Sequence, residues 1–268
     1  QAPETTKTYL REYYVGQEKV HQLLGDAIQI FLLQIPGLEF GMLIPKREYI
    51  TVCLLGEEID KDLAQAFLDA PEVQACLPAG LNTARFSCQC SPRINIRAAQ
   101  HPYGDRIVFV GDCSATRLYK DGVGSAYRTA KVAASTAIFH GVSGEDFERH
   151  YRPALEAIEA DNDIGRLILR VISLVRNQRF ARKAMLRMVL REQDKPSQRR
   201  HMSTVQWDMY TGSGTYKQIL LRMLHPAFLL RLGYESLISL LPEKTGRQAT
   251  VPSQGDGLGT LTDALGEV

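Results

Sequence analysis

Apolar and polar positions divide the chain into a strand-rich first part and a helix-rich second part. Pro45–Glu48 separates two short apolar runs and predicts a tight hairpin turn between them. Asp60–Phe67 has helical spacing, and Arg85–Ile96 is typical of one or two strands. The segments predicted as strands of an antiparallel meander are Tyr9–Val15, Ala27–Leu33, Gly41–Pro45 and Tyr49–Leu55.

The second part begins with an unbroken apolar run, Ile107–Val110, which predicts a strand covered on both faces. A helix from Gly124 to about His140 follows, and its five alanines predict close packing. Arg176–His201 holds nine basic residues among apolar ones and is typical of a cationic amphipathic helix. Tyr216–Leu241 is strongly apolar, but charges and Pro226 interrupt it, which favours two helices over a membrane span.

Composition limits the class of protein. With 268 residues and 44% hydrophobic side chains, the chain can bury a sizeable core. A net charge of +2 is too small to indicate nucleic-acid binding. Five cysteines, an odd number, favour a reducing compartment. Cys88 and Cys90, two apart on a predicted strand, could form a redox pair or half a metal site, but the sequence has no second pair at zinc spacing, so we expect them to be small buried residues and no metal site to be present. The six histidines are scattered, so the catalytic residues stay unknown.

Candidate chemistry follows the predicted strand. Asp112 stands at its carboxyl end, where ligands bind in open α/β sheets, and its carboxylate can accept hydrogen bonds from hydroxyl groups. Gly122 and Gly124 let backbone amides approach a ligand closely. The start of the helix that follows favours negative charge. An ordinary strand, loop and helix would account for the glycines alone, but not for Gly-Asp together with Gly-x-Gly.

The stretch Arg106–His140 resembles the C-terminal flavin motif of geranylgeranyl reductase-like and aromatic hydroxylase-like flavoproteins. The resemblance implies that Asp112 binds the ribityl and diphosphate part of FAD. It implies that backbone from Gly122 to Ser125 faces the flavin. Cys113, Ser114 and Tyr119 depart from the family pattern, and solvation is the default expectation for Arg117, Lys120 and Asp121 of the loop. The cofactor-binding residues so predicted are Gly111, Asp112, Gly122, Val123, Gly124 and Ser125.

Two more segments are similar to the same family. Residues 40–52 look like the strand pair that covers the substrate cavity, which makes Phe40 and Met42 candidate substrate contacts; the alternative is that both are core side chains. Residues 207–226 look like the tail of a bacterial subgroup. We predict an α+β fold with an antiparallel substrate-side sheet at 1–100, a strand-loop-helix half of a FAD-binding domain at 101–160, a helical region at 161–242 and a flexible tail at 243–268.

A second motif expected of such flavoproteins, Gly-x-Gly-x-x-Gly after a first strand, is absent from the sequence, which also does not begin with Met. We therefore expect the chain to be the C-terminal portion of a longer flavoprotein or one product of a split gene. Its expected partner is the missing N-terminal FAD-binding portion or subunit.

Three functions remain open at this point. The first is an FAD-dependent oxidoreductase that transfers hydride to or from a hydrophobic, isoprenoid-like substrate, with NAD(P)H as a candidate electron donor. The second is a flavin monooxygenase or halogenase. The third is a non-catalytic module that binds a membrane surface or a partner. We expect a cytoplasmic protein without nucleic acid, with peripheral contact at the inner membrane face as an option.

Overall fold

The computed structural model describes residues 4–56, 58–176, 178–194 and 200–241. They form two compact units, here called the sheet unit (residues 6–94) and the helical unit (residues 4–5 and 95–241). An antiparallel sheet and many helices confirm the predicted α+β class. The predicted boundaries at 100 and 160 stay predictions, and the predicted tail at 243–268 lies outside the described residues.

Antiparallel strands form the sheet unit, but the predicted meander holds only for its second to fourth strands, because the first strand pairs with the fourth and not with the second. Its elements are β1 (Thr5–Tyr14), α1 (Gln17–Leu24), β2 (Gln29–Phe31), β3 (Leu38–Lys46), β4 (Tyr49–Gly56), α2 (Lys61–Leu68), α3 (Pro71–Gln74), β5 (Cys88–Cys90) and β6 (Arg93–Asn95). The strand order is β2-β3-β4-β1-β5, and β6 also pairs with β1. The predicted hairpin joins β3 to β4, with Arg47 in the left-handed region of backbone conformation.

One face of this sheet carries the core of the unit. Alternation in the strands turns Leu43 and its opposite residue Val52 to that face, and both are fully buried. The N-cap Asp60 starts α2 by accepting from the Leu63 amide at 2.8 Å. A Cβ on Gly41 would overlap the ring of Phe67, so the missing side chain lets α2 pack closely on the sheet.

Helices dominate the second unit. Its elements are β7 (Tyr103–Gly104), β8 (Ile107–Val108), α4 (Gly122–Phe139), α5 (Gly144–His150), α6 (Arg152–Arg176), α7 (Arg179–Asp194), α8 (His201–Thr211), α9 (Tyr216–Met223) and α10 (Pro226–Leu240). The predicted cationic helix is α7, and the predicted break at Pro226 separates α9 from α10. In the segments that the structure describes, no helix is long and apolar enough to cross a membrane.

The prediction of a doubly covered strand at Ile107–Val110 is wrong. Only β8 is a strand there, and it pairs with the two residues of β7. Ile107 is 59% exposed and Phe109 is 47% exposed. The apolar run indicates an affinity for burial, but the described residues supply one short partner strand, and only Val108 of the run packs against a buried cluster.

Helix α4 also differs in which face it buries. Its buried stripe is Ser125, Thr129, Ala133 and Thr136, so of the five alanines predicted to pack closely Ala133 is buried, Ala126 and Ala137 are half-buried and the other two are exposed. Its large apolar side chains point outward, with Val123 87% exposed and Phe139 75% exposed. Together with β8, α4 therefore presents an uncovered apolar surface.

The expectation of buried cysteines is wrong for the pair on β5. Cys88 and Cys90 are exposed, because β5 is a short outer strand of the sheet, and Cys113 is exposed too. Burial does raise the pKa of Cys53 to about 11, which keeps that thiol protonated. Among the described residues, no group of three or more His, Cys, Asp or Glu could hold a metal ion.

Candidate functional site

The predicted Gly-Asp pair forms a single 3₁₀ turn, Gly111–Cys113, directly after the exposed strand segment. Gly111 has φ of 62°, a conformation that favours glycine. A Cβ there would lie 3.1 Å from the Cβ of Ala126, and the Gly111 amide donates to the Thr129 hydroxyl at 2.8 Å. Gly111 therefore docks the turn on α4, while the side chain of Asp112 stays exposed.

Tyr151 holds this turn from the other side. Its ring is fully buried, and its hydroxyl donates to the Phe109 carbonyl at 2.7 Å and lies 3.1 Å from the Ser114 hydroxyl. Ser114 in turn donates to the Gly111 carbonyl at 3.0 Å. These bonds fix the backbone on both sides of Asp112, so the position from which its side chain projects is defined.

That position is beside the first turn of α4. An oxygen of the Asp112 carboxylate lies 3.8 Å from where a Cβ of residue 122 would stand, an ordinary contact distance, so Asp112 and Gly122 are neighbours. Val123 is 87% exposed. The structure thus brings together three of the predicted residues, Asp112, Gly122 and Val123. Asp112 supplies an exposed acceptor, and Gly122 and Val123 form the solvent-facing start of a helix whose first amides lack intrahelical acceptors.

Gly124 and Ser125 have different surroundings. Asp121 is the N-cap of α4 and accepts from the Gly124 amide at 3.1 Å, and a Cβ on Gly124 would overlap the Asp121 carboxylate. The Ser125 amide donates to the Asp121 carbonyl, and its side chain is fully buried. Both therefore build the start of the helix, and the cap does not occupy the amides of Gly122 and Val123.

The loop before α4 is not solvated, contrary to expectation, because its cations are buried. Arg117 is 6% exposed and donates to Asp121 at 2.9 Å, to the Gly212 carbonyl at 2.8 Å and to the Gly214 carbonyl at 2.6 Å. Burial acts to raise the pKa of Asp121, but hydrogen bonds from Arg128 and Arg117 outweigh it and hold that pKa below its usual value. Arg117 thus joins the cap to the loop before α9.

Lys120 makes a second link to the same loop. Its ammonium group donates to the Asp208 carbonyl at 2.9 Å and the Gly214 carbonyl at 3.2 Å, and it lies 4.0 Å from the centre of the Tyr216 ring. Burial, followed by the charge of Arg117, lowers the pKa of Lys120 to about 7. The ammonium is therefore held at a cost in solvation.

This shift predicts a pH dependence of stability. The unfolded lysine binds its proton up to pH 10.5 and the folded one only to about 7, so the unfolded state binds more protons between those values. The free energy of unfolding should rise by about 3 kcal/mol from pH 6 to pH 9 on account of this group. Urea unfolding followed through Trp207, the single tryptophan, measures it. In Lys120→Met the free energy of unfolding should no longer rise between pH 6 and pH 9. The control Lys131→Met removes an exposed lysine and should keep the rise.

Asn162 of α6 anchors the loop as well. It is buried, its carbonyl oxygen accepts from the Leu118 amide at 2.9 Å, and its amide group donates to the Thr116 carbonyl at 2.9 Å. Sequence reasoning missed Asn162 and Tyr151. A signal for Tyr151 is its place between two helical segments, but its partner Phe109 is 42 residues away along the chain.

Phe40 and Met42 lie on the other face of the sheet from the core. Both are half-buried, and they stand opposite Leu55 and Cys53 of β4. Neither belongs to the buried core of the sheet unit, where Leu38 and Leu43 of the same strand do. These two residues therefore form part of an apolar sheet face that remains partly accessible.

A cavity of about 860 Å³ lies between α4 and α6 within the helical unit. Val132, Ile158 and Ile164 line its apolar part, and Lys131 and Lys217 stand among its charged lining residues. Asp161, also in the lining, caps α9 by accepting from the amides of Tyr216 and Lys217 at 3.0 Å each. The lining suits an apolar group with an anionic end.

Comparison with known proteins gives little more. No protein-family model matches the sequence, and no curated protein is significantly similar to it. Among solved structures that match is p-nitrophenol 4-monooxygenase PnpA from Pseudomonas putida DLL-E4, with a TM-score of 0.32 and 13% identity over 60% of this chain and 40% of that chain. The chain thus spans less than half of that enzyme's length. A likeness this weak says nothing about activity, so only the residues described above support a function.

Proposed function

We propose that the chain is part of an FAD-dependent oxidoreductase and that its Asp112 and the first turn of α4 bind the cofactor. One observation carries the proposal: the exposed side chain of Asp112 lies beside Gly122, at the solvent-facing start of α4. This pairs an acceptor for hydroxyl groups with amide donors for an anionic or electron-rich group. The geometry fits the ribityl and diphosphate part of FAD.

Each residue of the site has a distinct part in this proposal. Asp112 accepts from cofactor hydroxyls, and the amides of Gly122 and Val123 donate to oxygen atoms of the cofactor. Gly111, Gly124 and Ser125 position these groups through the contacts described above. When bound, FAD supplies the hydride chemistry, so the part of the chain is to bind the cofactor and to orient it against the substrate.

The uncovered apolar surface of β8 and α4 supports the expected partner. It includes Ile107 of β8 and the adjoining Phe109, with Val123 and Tyr127 of α4, all more than 40% exposed. It borders the proposed cofactor site, because Gly122 and Val123 form the first turn of α4 and Gly111 packs against Ala126 of the same helix. A dinucleotide-binding portion that carries Gly-x-Gly-x-x-Gly would cover this surface and bind the other half of FAD.

For the substrate we propose a hydrophobic, isoprenoid-like molecule that gains or loses hydride, as in geranylgeranyl reductases. The half-buried side chains of Phe40 and Met42 support this choice, because together with the opposite residues Leu55 and Cys53 they offer apolar contact area on that face of the sheet. NAD(P)H is the proposed electron donor.

Co-expression tests this proposal. The chain is produced with a tag, alone and together with the product of the adjacent upstream reading frame, and the flavin absorbance of the purified material is recorded. We expect a bound, perturbed flavin spectrum with the partner present and its loss in an Ile107→Glu/Phe109→Glu variant. Absence of flavin from both preparations, with the two proteins co-purifying, would favour a non-catalytic module instead.

A further inference from the structure

Helix α10 exposes an apolar stripe to solvent, whereas a surface helix normally buries its apolar side. Leu230, Tyr234 and Leu237 recur at spacings of four and three residues, which places them on one side of the helix. They are 75%, 56% and 67% exposed, and Leu240 and Leu241 continue the surface at 60% and 66%. The side chains of α10 that are fully buried are Phe228 and Glu235. The set Leu230, Tyr234, Leu237, Leu240 and Leu241 is here called the leucine stripe.

The acidic residue of this helix is turned inward. Glu235 is fully buried and forms ion pairs with Arg187 at 3.3 Å and Arg191 at 2.6 Å, both from α7. A glutamate of a surface helix normally faces water. In α10 the glutamate is buried, and the leucine stripe is the part of the helix that faces water. The stripe therefore carries no negative charge.

Helix α7 repeats this arrangement of charge. Its Glu192 is buried and accepts from the amides of Met202 and Ser203, at 3.0 and 2.9 Å, at the start of α8. In the described part of α7, Asp194 is the acid left on the surface. Basic residues are more numerous on the same helix: Arg179, Arg182, Lys183, Arg187 and Arg191.

Positive charge also lies close to the leucine stripe. The guanidinium of Arg191 is 6.0 Å from the centre of the Tyr234 ring, and its side chain is 43% exposed. Two arginines face the single carboxylate of Glu235, which leaves an excess positive charge beside the stripe. An apolar surface bordered by cations matches an anionic lipid surface, where the headgroups are negative and the acyl chains begin a few ångströms below.

We infer that α10 lies in the plane of an anionic membrane surface, with the leucine stripe in the boundary between headgroups and acyl chains and the arginines of α7 against the headgroups. The charge pattern favours lipid over an apolar protein surface, because apolar contact alone does not require both acids to be turned inward. At 15 residues, α10 is suited to lie on a bilayer and not to cross it. The inference is independent of flavin binding.

Vesicle sedimentation tests the inference with the chain as it is. Binding is measured to vesicles of phosphatidylcholine alone and of phosphatidylcholine with 30 mol% phosphatidylglycerol, about the anionic content that gives a strong surface potential. We expect binding to the anionic vesicles, weakened at least about tenfold by Leu230→Glu/Leu237→Glu and by high salt. The matched control, Ile138→Glu/Phe139→Glu, adds the same charge at 72% and 75% exposed positions of α4. Its binding to the anionic vesicles should stay within about twofold of that of the native chain.

A second measurement gives the depth of insertion. Leu237→Trp is made on a Trp207→Phe background, so that one tryptophan reports the stripe. Lipid should shift its emission to shorter wavelength, and brominated acyl chains should quench it. Equal binding of the stripe variant and the native chain to anionic vesicles would overturn the inference. So would a stripe that forms dimers without lipid and shows no quenching, since it would then be a surface between two copies.

Discussion

Replacing Arg117 with methionine is expected to lower the free energy of unfolding of the helical unit by about 3–5 kcal/mol. The guanidinium is buried and satisfies two backbone carbonyls, of Gly212 and Gly214, as well as the Asp121 carboxylate. Methionine fills similar volume but donates no hydrogen bond, so the carbonyls and part of the carboxylate would stay buried without partners. The penalty is that of uncompensated polar groups and not of lost packing.

Urea unfolding measured through Trp207 in α8 reports this unit. Arg128→Met is the matched control, because Arg128 donates to the same Asp121 oxygen at 2.7 Å with a side chain that is 49% exposed. An exposed ion pair of this kind contributes about 1 kcal/mol or less. A similar loss in both variants would contradict the role given to the buried carbonyl contacts of Arg117.

Replacing Asp112 with alanine is expected to weaken FAD binding by the assembled protein about 10- to 100-fold, the loss of one or two hydrogen bonds to a charged acceptor. The side chain is exposed, and the hydrogen bonds that fix the turn use the backbone of Gly111 and the side chains of Thr129, Ser114 and Tyr151. The fold should therefore keep its stability within about 0.5 kcal/mol.

Titration with FAD, followed by the quenching of flavin fluorescence, measures this loss. Asp62→Ala is the control, because Asp62 is another exposed aspartate in the first turn of a helix, α2. Its removal should leave the affinity for FAD unchanged. An Asp112→Ala protein that binds FAD as tightly as the native one would remove Asp112 from the cofactor site.

Much of the fold follows from local pattern. β4 spans Tyr49–Gly56 where Tyr49–Leu55 is predicted, because a β-branched run after a tight turn specifies its own hairpin. Pro226 ends one helix and begins the next for equally local reasons, since it fits the first position of α10 and no interior one. Asp112 and Gly122 could be placed together because a few loop residues join their elements.

Other features depend on distant partners and could not be read from the sequence. Arg117 resembles a solvated loop residue, and its burial depends on carbonyls 95 and 97 residues further along the chain. Ile107–Val110 resembles a doubly covered strand, and whether a strand is covered depends on which neighbours pair with it. The outward stripe of α10 was equally hidden, because an apolar periodicity gives the width of a face and not its direction.

Amide hydrogen exchange of the assembled protein, with and without FAD, tests the cofactor site most directly. FAD is expected to slow exchange in the peptide that covers Gly111–Ala126, at Gly122 and Val123 above all, because the Asp121 cap does not occupy these amides. The β4 strand, Tyr49–Gly56, serves as internal reference and should not change. Bound FAD with unchanged exchange across Gly111–Ala126 would contradict the proposed site.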